Sequence, residues 1–223
     1  MSRIKEYFEQ YALLSLEKQE KFDRLAGEHF AEFDIDAGIL KIDHELALPF
    51  QVLGTQSDNT LTWLWAWSEE HADVQPDLIT AARKLKEWGL ENGIEEFCIP
   101  EVDIEQADGM MISLIAAEVC KASCYYRDAY EGGAVFVLLS GAGIDRQPPF
   151  ELSGFLKAFT DLASRYDLNH RNVVQSYLRI KGLPLVEDGA MIIGKLESGE
   201  EVRMEFGGSG DILSLNGGPF SVR

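Results

Sequence analysis

The sequence predicts an α+β fold, in which an antiparallel sheet carries helices packed on one face and is followed by a small C-terminal β-meander. Three observations support this fold. Apolar residues recur at helical spacing near the N-terminus, a hairpin around TLTWLWAW alternates in a strand period, and a later stretch repeats the order helix, hairpin, helix. With 46% hydrophobic and 26% charged residues, the chain has the composition of a protein that buries a large core.

The first element is a helical region that extends to about residue 26. Ile4, Phe8 and Leu14 are spaced as on one face of a helix, and Ser15 is placed to cap a second helix. From Phe33 the period changes to two, because FDIDAGILKI alternates apolar and acidic residues. This alternation predicts a half-buried strand.

The stretch PFQVLGTQSDNTLTWLWAW predicts a hairpin with a polar turn at Ser57 to Asn59. Alternate side chains of a strand point to the same face. In the second strand these residues are Leu61, Trp63, Trp65 and Trp67. An exposed stripe of three indoles would favour aggregation, so we expect helices that include residues 1–26 or 76–89 to cover it. Trp65, in the middle, is expected to be the most buried.

A second helix is predicted to open at Pro76 and run through LITAARKLKEWG, with Gly89 as its stop signal. The stretch CIPEVDIEQAD follows it and alternates apolar with acidic residues. Its acidic side chains would form a ridge along one side of an extended segment. The ridge consists of Glu101, Asp103 and Glu105.

The region after Asp108 repeats the same plan. GMMISLIAAEVCKAS predicts an apolar helix, SCYYRDAYEGGAVFVLL a hairpin, and PPFELSGFLKAFTDLASRY a helix opened by proline. Trp67 precedes Pro76 by 9 residues, and Ser140 precedes Pro149 by 9. We therefore predict two divergent helix-hairpin-helix repeats, at about 1–93 and 107–167, and expect 50–89 to superpose on 123–167.

The last part of the chain differs in composition and period. Residues 185–217 predict a three-stranded meander with turns at Ser198 and Gly199 and at 207–210. Val202, Met204 and Phe206 share one face of it. Such a small sheet needs a body on which to pack. The predicted organisation is a main α+β domain, 1–184, with the meander, 185–223, docked on it.

The charge of the chain excludes some partners. Its 20 basic and 38 acidic residues give a net charge of −18, which disfavours nucleic acid and anionic membrane surfaces. No run has the length of a membrane span, and the N-terminal residues are charged where a signal peptide is apolar. Three cysteines without a CxxC pair indicate reduced thiols. We expect a cytoplasmic protein.

The sequence carries no catalytic signature. SGAG at residues 140–143 follows a strand, but Arg146 stands where a dinucleotide-binding turn has its third glycine. The four histidines lack the spacing of a helical metal site, and no GxSxG elbow occurs. No metal or cofactor is expected. Because triads assemble across a fold, this absence gives no reason to prefer an enzyme and does not exclude one.

Two stretches resemble an uncharacterised bacterial family, a domain of unknown function. They are YALLSLEKQEKF near the N-terminus and LGTQSDNTLTWLWAW, and the resemblance extends from about residue 8 to residue 140. It implies no activity, cofactor or catalytic residue.

Two hypotheses about function follow. The first is an acidic interaction module, similar to an immunity protein or a secretion chaperone, that binds a basic protein. Its contact surface would consist of acidic residues: Glu69, Glu70, Asp73, Glu101, Asp103 and Glu105. The second is a small-molecule-binding protein or enzyme with an aromatic pocket. That pocket would consist of Trp63, Trp65, Trp67, Tyr125, Tyr126 and Tyr130.

Overall fold

The computed structural model describes residues 2–26, 31–43, 46–141, 150–195, 201–216 and 218–219. The chain folds into two compact units. Unit 1 comprises Met1–Lys5 and Lys18–Gln147, and unit 2 comprises Glu6–Glu17 and Pro148–Arg223. Within the described residues, no helix is both long enough and apolar enough to cross a membrane.

The described residues form α-helices, short 3-10 helices and antiparallel strands. The α-helices are α1 (Arg3–Ala26), α2 (Thr80–Asn92), α3 (Gly109–Val119), α4 (Leu152–Arg165) and α5 (His170–Ile180). The strands are β1 (Ala31–Asp34), β2 (Ile39–Ile42), β3 (Leu46–Ser57), β4 (Thr62–Trp65), β5 (Glu101–Asp103), β6 (Cys124–Tyr130), β7 (Gly133–Leu139), β8 (Leu185–Asp188), β9 (Met191–Lys195), β10 (Glu201–Phe206), β11 (Ile212–Leu215) and β12 (Gly218–Pro219). The 3-10 helices are Glu69–His71, Pro76–Ile79 and Glu95–Phe97. The α+β class is therefore confirmed.

Two predicted helix boundaries are wrong. α1 is one continuous helix, so Ser15 does not cap a second one, and its side chain is buried. α2 ends at Gly93, which adopts a left-handed backbone with φ +68° that glycine tolerates. Gly89 lies inside the helix, where an added Cβ would be 2.6 Å from Cβ of Phe97. This glycine permits close packing and does not stop the helix.

Unit 1 contains an antiparallel sheet of seven strands. The strands β1 to β5 pair in chain order, and the hairpin β6–β7 joins them because β7 pairs with β3. β3 is long enough to pair with β2 through Leu46–Pro49 and with β4 through Gly54–Ser57. A register shift between Val52 and Gly54 marks a β-bulge in β3 opposite β7.

The sheet curls. The ring of Phe33 in β1 lies 5.1 Å from the ring of Phe50 in β3 and 6.2 Å from that of Tyr126 in β6. Along the pairing path β1, β2, β3, β7, β6, the strands β1 and β6 are four strand spacings apart. A flat sheet would separate them by about 19 Å. The contact between Phe33 and Tyr126 therefore requires that this face be concave.

The core of unit 1 has two layers, one on each face of the sheet. On the convex face, α3 begins at Asp108, whose side chain accepts a hydrogen bond from the N–H of Met111 at 2.7 Å. α3 packs on β3, β6 and β7. On the concave face, apolar side chains from α1, four strands and the 3-10 helix Pro76–Ile79 form a second cluster: Phe22, Ala26, Leu40, Ile42, Leu48, Phe50, Leu78, Cys124, Val137 and Leu139.

Unit 2 contains α4, α5, residues 6–17 of α1 and a second antiparallel sheet, with strand order β12-β11-β10-β9-β8. As predicted, Val202, Met204 and Phe206 share one buried face, and 207–210 form a turn. Leu178 of α5 lies 3.3 Å from the position of a Cβ on Gly194. The predicted turn at Ser198 and Gly199 lies outside the described residues.

The predicted duplication is not confirmed. A hairpin followed by a helix does occur twice, as β3–β4 before α2 and as β6–β7 before α4. However, α2 belongs to the same unit as its hairpin, whereas α4 belongs to unit 2. Pro149, which supplied half of the spacing argument, lies outside the described residues. The predicted domain boundary after residue 184 falls inside unit 2, between α5 and β8.

Candidate functional site

All six predicted acidic residues lie at the surface of unit 1. Glu101 and Asp103 belong to β5, and Glu105 follows it. Glu69 and Glu70 lie in the 3-10 helix after β4, and Asp73 lies in the turn beyond it. All six are exposed. Among the described residues, no lysine or arginine forms an ion pair with any of them.

The acidic ridge is positioned by alternation in β5. Val102 pairs with Trp63 and is buried, so its two neighbours must point to the other face of the sheet. Glu101 pairs with Leu64 and Asp103 with Thr62. β5 is the last strand of its pairing path, and charged side chains on such an edge strand hinder the addition of a further strand.

Backbone hydrogen bonds fix the segments that carry the acids. The N–H of Ile104 donates to the carbonyl of Leu61 at 3.1 Å, and that of Trp65 donates to the carbonyl of Pro100 at 3.0 Å. The carboxylate of Asp103 also accepts a hydrogen bond from the N–H of Glu105 at 2.8 Å. Nδ1 of His71 lies 3.1 Å from the carbonyl oxygen of Trp65, which anchors the 3-10 helix of Glu69 and Glu70. The acidic segments are therefore ordered around β4.

The predicted tryptophan face is largely core. Trp63 and Trp65 are 0% exposed, and their rings meet edge to face at 5.4 Å. Nε1 of Trp65 donates to the carbonyl of Glu96 at 2.9 Å, and Phe97 packs against its ring at 5.2 Å. Trp65 is thus no more buried than Trp63. The helix that covers Trp65 is the 3-10 helix Glu95–Phe97, which lies outside the predicted ranges 1–26 and 76–89.

The ends of the predicted stripe lie outside β4, although the ring of Trp67 still stacks on that of Trp65 with 6.3 Å between the centroids. β4 ends at Trp65, and Trp67 is half-buried with Nζ of Lys86 3.8 Å from its ring centroid. Leu61 precedes β4 in a turn, has a left-handed backbone with φ +57° and is 52% exposed. Strand alternation therefore applies only to Trp63 and Trp65.

The six aromatic residues proposed for a pocket do not converge. Tyr125 stacks on Phe136 at 6.3 Å, on the convex face that carries Trp63 and Trp65. Tyr126 contacts Phe33 on the concave face. Tyr130 is on the concave side as well, because it is four residues further along the same strand. The sheet itself separates the two groups.

Burial shifts the pKa of several titratable side chains in the described part of the chain. Burial raises the pKa of the Cys120 thiol to about 11 and also raises that of Cys98, so both thiols are protonated at neutral pH. Burial lowers the pKa of His170. Within the described part of the chain, no group of three or more His, Cys, Asp or Glu residues could hold a metal ion.

A cavity of about 490 Å³ lies in unit 2, on the outer face of its sheet. It is lined by Met191, Glu201, Arg203, Glu205, Ser214 and Asn216. The guanidinium of Arg203 donates to the carboxylate of Glu201 at 3.0 Å, and the hydroxyl of Ser214 donates to that of Glu205 at 3.1 Å. None of the predicted aromatic residues lines this cavity.

The sequence interpretation missed Asp128. This residue lies in β6, at the opposite edge of the sheet from β5, and is exposed. Its pairing with Val135 places it on the same face as Glu101 and Asp103. Alternation in CYYRDAY could have indicated the face shared by Tyr126, Asp128 and Tyr130. The pairing of β7 with β3 could not be read from local spacing.

Comparison of the sequence with known proteins identifies a family and no individual relative. Neither the curated proteins nor the solved structures include a match to this chain. The model of one family matches residues 5–142, more than half of the chain, and this segment includes every acidic and aromatic candidate residue. The chain is therefore a member of a family of unknown function, DUF6882.

Proposed function

We propose that this chain is a protein-interaction module whose acidic surface binds a basic protein. The observation that carries the proposal is the set of six exposed carboxylates around β4 and β5, none of which forms an ion pair with a described lysine or arginine. Carboxylates without an intramolecular cation remain available to a cation on a partner.

The charge of the chain favours a cationic protein as partner over a polyanion such as nucleic acid. A net charge of −18 produces a field that accelerates encounter with cations and repels nucleic acid. The carboxylates are on an edge strand and on segments fixed by hydrogen bonds to β4. Because the backbone of these segments is already ordered, it loses little conformational entropy when a partner binds.

The proposed setting is the cytoplasm. Cys98, Cys120 and Cys124 are all free thiols, which suits a reducing compartment. This part of the proposal is tested separately, by fractionating cells and following the chain with an antibody. Recovery in a membrane or extracellular fraction would contradict it.

Solvation is the competing explanation for the acidic surface, because charge alone keeps a protein from associating. The two explanations differ in their dependence on position. A binding surface loses its partner when a few local charges change, whereas a solvating surface tolerates the change anywhere.

The experiment is capture of partners by two variants with the same change of charge. The first carries Glu101→Lys, Asp103→Asn and Glu105→Lys; asparagine keeps the oxygen that accepts from the N–H of Glu105. The control carries Glu87→Lys, Glu91→Gln and Glu95→Lys, three exposed residues of α2 and the 3-10 helix after it.

The expected result is a basic protein that the wild type and the control retain and that the first variant loses. The amount of partner retained should also fall between about 50 and 150 mM salt, because the Debye length shortens over this range and weakens attraction between charges. Equal retention by both variants, or no captured basic protein at either salt concentration, would leave the acidic residues as a solvated surface.

A further inference from the structure

The concave face of the unit 1 sheet has an open end that connects the acidic ridge with Asp128. Strand pairing aligns one row of side chains across five strands: Glu101, Leu64, Thr55, Val135 and Asp128. The neighbouring row is Asp103, Thr62, Ser57, Gly133 and Tyr130. Directly paired residues point to the same side of a sheet. We call these ten residues the open face.

The open face differs from the rest of the concave side in its burial. At the far end of the concave side, Phe50, Cys124 and Leu139 are buried in the core cluster, and Val52 and Tyr126, which lie between the two ends, are half-buried. On the open face, Thr55, Ser57, Thr62 and Leu64 are only half-buried, and so is Val135, which packs against the edge of the core cluster. The curled sheet is therefore filled at one end, and at the other end these five side chains remain partly accessible to solvent.

The chemistry of the open face is acidic at both edges and uncharged in the middle. Carboxylates occupy β5 and β6, whereas the side chains between them are aliphatic or carry hydroxyl groups. Neither row contains a lysine or an arginine. Measured along the sheet, the carboxylates of Glu101 and Asp128 are attached to strands about 19 Å apart.

Such a surface has the arrangement of a protein-binding site, with an apolar centre inside a charged rim. Leu64 and Val135 supply the centre, and Tyr130 lies beside it with its hydroxyl 2.9 Å from the position of a Cβ on Gly133. A partner that complements it has a compact apolar patch flanked on both sides by lysine or arginine. A polyanion is excluded by the rim, and a small cation cannot contact both edges.

We propose that the basic partner binds to the open face. It would lie across β5, β4, β3, β7 and β6 and form ion pairs with the carboxylates at both edges. The inference rests on the proposed function and narrows it. It adds Asp128 to the contact surface and makes Leu64, Thr55 and Val135 the uncharged centre of the contact. Binding across the face also avoids β5 as a pairing edge, which at three residues is too short to template a strand.

The test uses a defined probe, a short synthetic peptide in which lysine alternates with valine, and a matched peptide with glutamate for lysine. Fluorescence anisotropy measures the affinity for the full chain at about 20 and 150 mM salt. One variant changes both edges of the row, with Glu101→Lys and Asp128→Lys. Its control changes the charge equally on α2, with Glu87→Lys and Glu91→Lys.

We expect the lysine peptide to bind and the glutamate peptide not to bind. The edge variant should lose at least about tenfold in affinity, which corresponds to about 1.4 kcal/mol, whereas the control should change less than about threefold. A second readout needs no substitution. In the wild type, the amide resonances of Thr55, Thr62 and Val135 should shift on addition of the peptide, and those of α2 should not.

The outcomes separate the two proposals. If neither peptide binds at low salt, the proposed function fails together with the inference. If the lysine peptide binds but the edge variant and the control weaken equally, or if the resonance shifts lie outside the open face, an acidic interaction module remains and the inference is overturned. Thr55→Arg, checked for folding by circular dichroism, should block binding from the centre of the face.

Discussion

The backbone N–H of Ile212 donates a hydrogen bond to Nδ1 of His170, with 3.2 Å between the two nitrogens. An Nδ1 that accepts a hydrogen bond requires the neutral imidazole, with its proton on Nε2. Burial lowers the pKa of His170, although the carboxylates of Asp211, Asp167 and Glu9 act in the opposite direction. The histidine therefore joins α5 to the start of β11 only while it is uncharged.

The first prediction concerns pH. Because the folded-state pKa of His170 lies below its unfolded value of about 6.5, the unfolded chain takes up this proton first as pH falls. The stability that depends on neutral His170 is present above about pH 6.5 and is lost as pH falls below it. Urea unfolding at steps between about pH 7.5 and 5.5 measures this loss. His170→Asn keeps an acceptor without the titration and should lose less; equal losses would contradict the prediction.

The second prediction concerns the tryptophan core. Trp65→Ala should reduce the free energy of unfolding by about 3–5 kcal/mol, because the side chain is completely buried. Trp65→Phe should cost about 1–3 kcal/mol, since it leaves the carbonyl of Glu96 without its donor. Trp67→Phe is the control, because Nε1 of Trp67 has no hydrogen-bond partner. Chemical denaturation of all three variants gives the comparison, and a control as costly as Trp65→Phe would contradict the assigned hydrogen bond.

The third prediction compares two glycines. A Cβ on Gly54 would lie 2.3 Å from the carbonyl oxygen of Leu64 and 2.7 Å from the indole of Trp63. Gly54→Ala should therefore destabilise the chain by about 1–3 kcal/mol through overpacking. A Cβ on Gly154 in α4 would meet no atom within 4 Å, so Gly154→Ala should stabilise by up to about 1 kcal/mol. The midpoint of thermal unfolding, monitored by circular dichroism, should fall for Gly54→Ala and rise for Gly154→Ala.

The fourth prediction concerns a buried ion pair in unit 2. Nζ of Lys181 lies 2.5 Å from a carboxylate oxygen of Glu17, and the hydroxyl of Tyr177 donates to the other oxygen at 2.9 Å. Lys181→Met should cost about 3–5 kcal/mol, because it leaves the carboxylate buried without its cation. Adding Glu17→Gln should recover much of that loss. If the double variant is the sum of the two single ones, as measured by urea denaturation, the two groups are not coupled.

The spacing of apolar residues along the sequence correctly predicted which side chains of single strands are buried and which are exposed. The strand alternation in TLTWLWAW identified Trp63 and Trp65 as core, and the alternation in EVD placed Glu101 and Asp103 at the surface. Both predictions rest on the two-residue period of a strand and need no knowledge of its neighbours. The shared face failed at Leu61, which lies in a turn before β4, whereas Trp67 follows the strand and still stacks on Trp65.

The features that the sequence did not predict depend on contacts between distant parts of the chain. The pairing of β3 with β7 creates the open face, and the contact of Phe33 with Tyr126 closes its far end; neither has a local signal. Lys18 likewise pairs with Glu118 across 100 positions. The duplication was inferred from loop spacing, which cannot show to which unit the helix after a hairpin belongs.

Unit 2 is built from two separate stretches of the chain, so it cannot complete its folding until the second stretch has been synthesised. Residues 6–17 leave the ribosome before the rest of unit 2, yet Glu17 bonds to Tyr177, 160 positions later. At a typical rate of roughly 5–20 residues per second, this helical segment waits on the order of ten to thirty seconds for its partners. Throughout that time the nascent chain presents Phe8, Leu13 and Leu14, which the finished protein buries. Chaperone capture in the cell should therefore be concentrated on residues 6–17, and slow codons between them and residue 150 would prolong it.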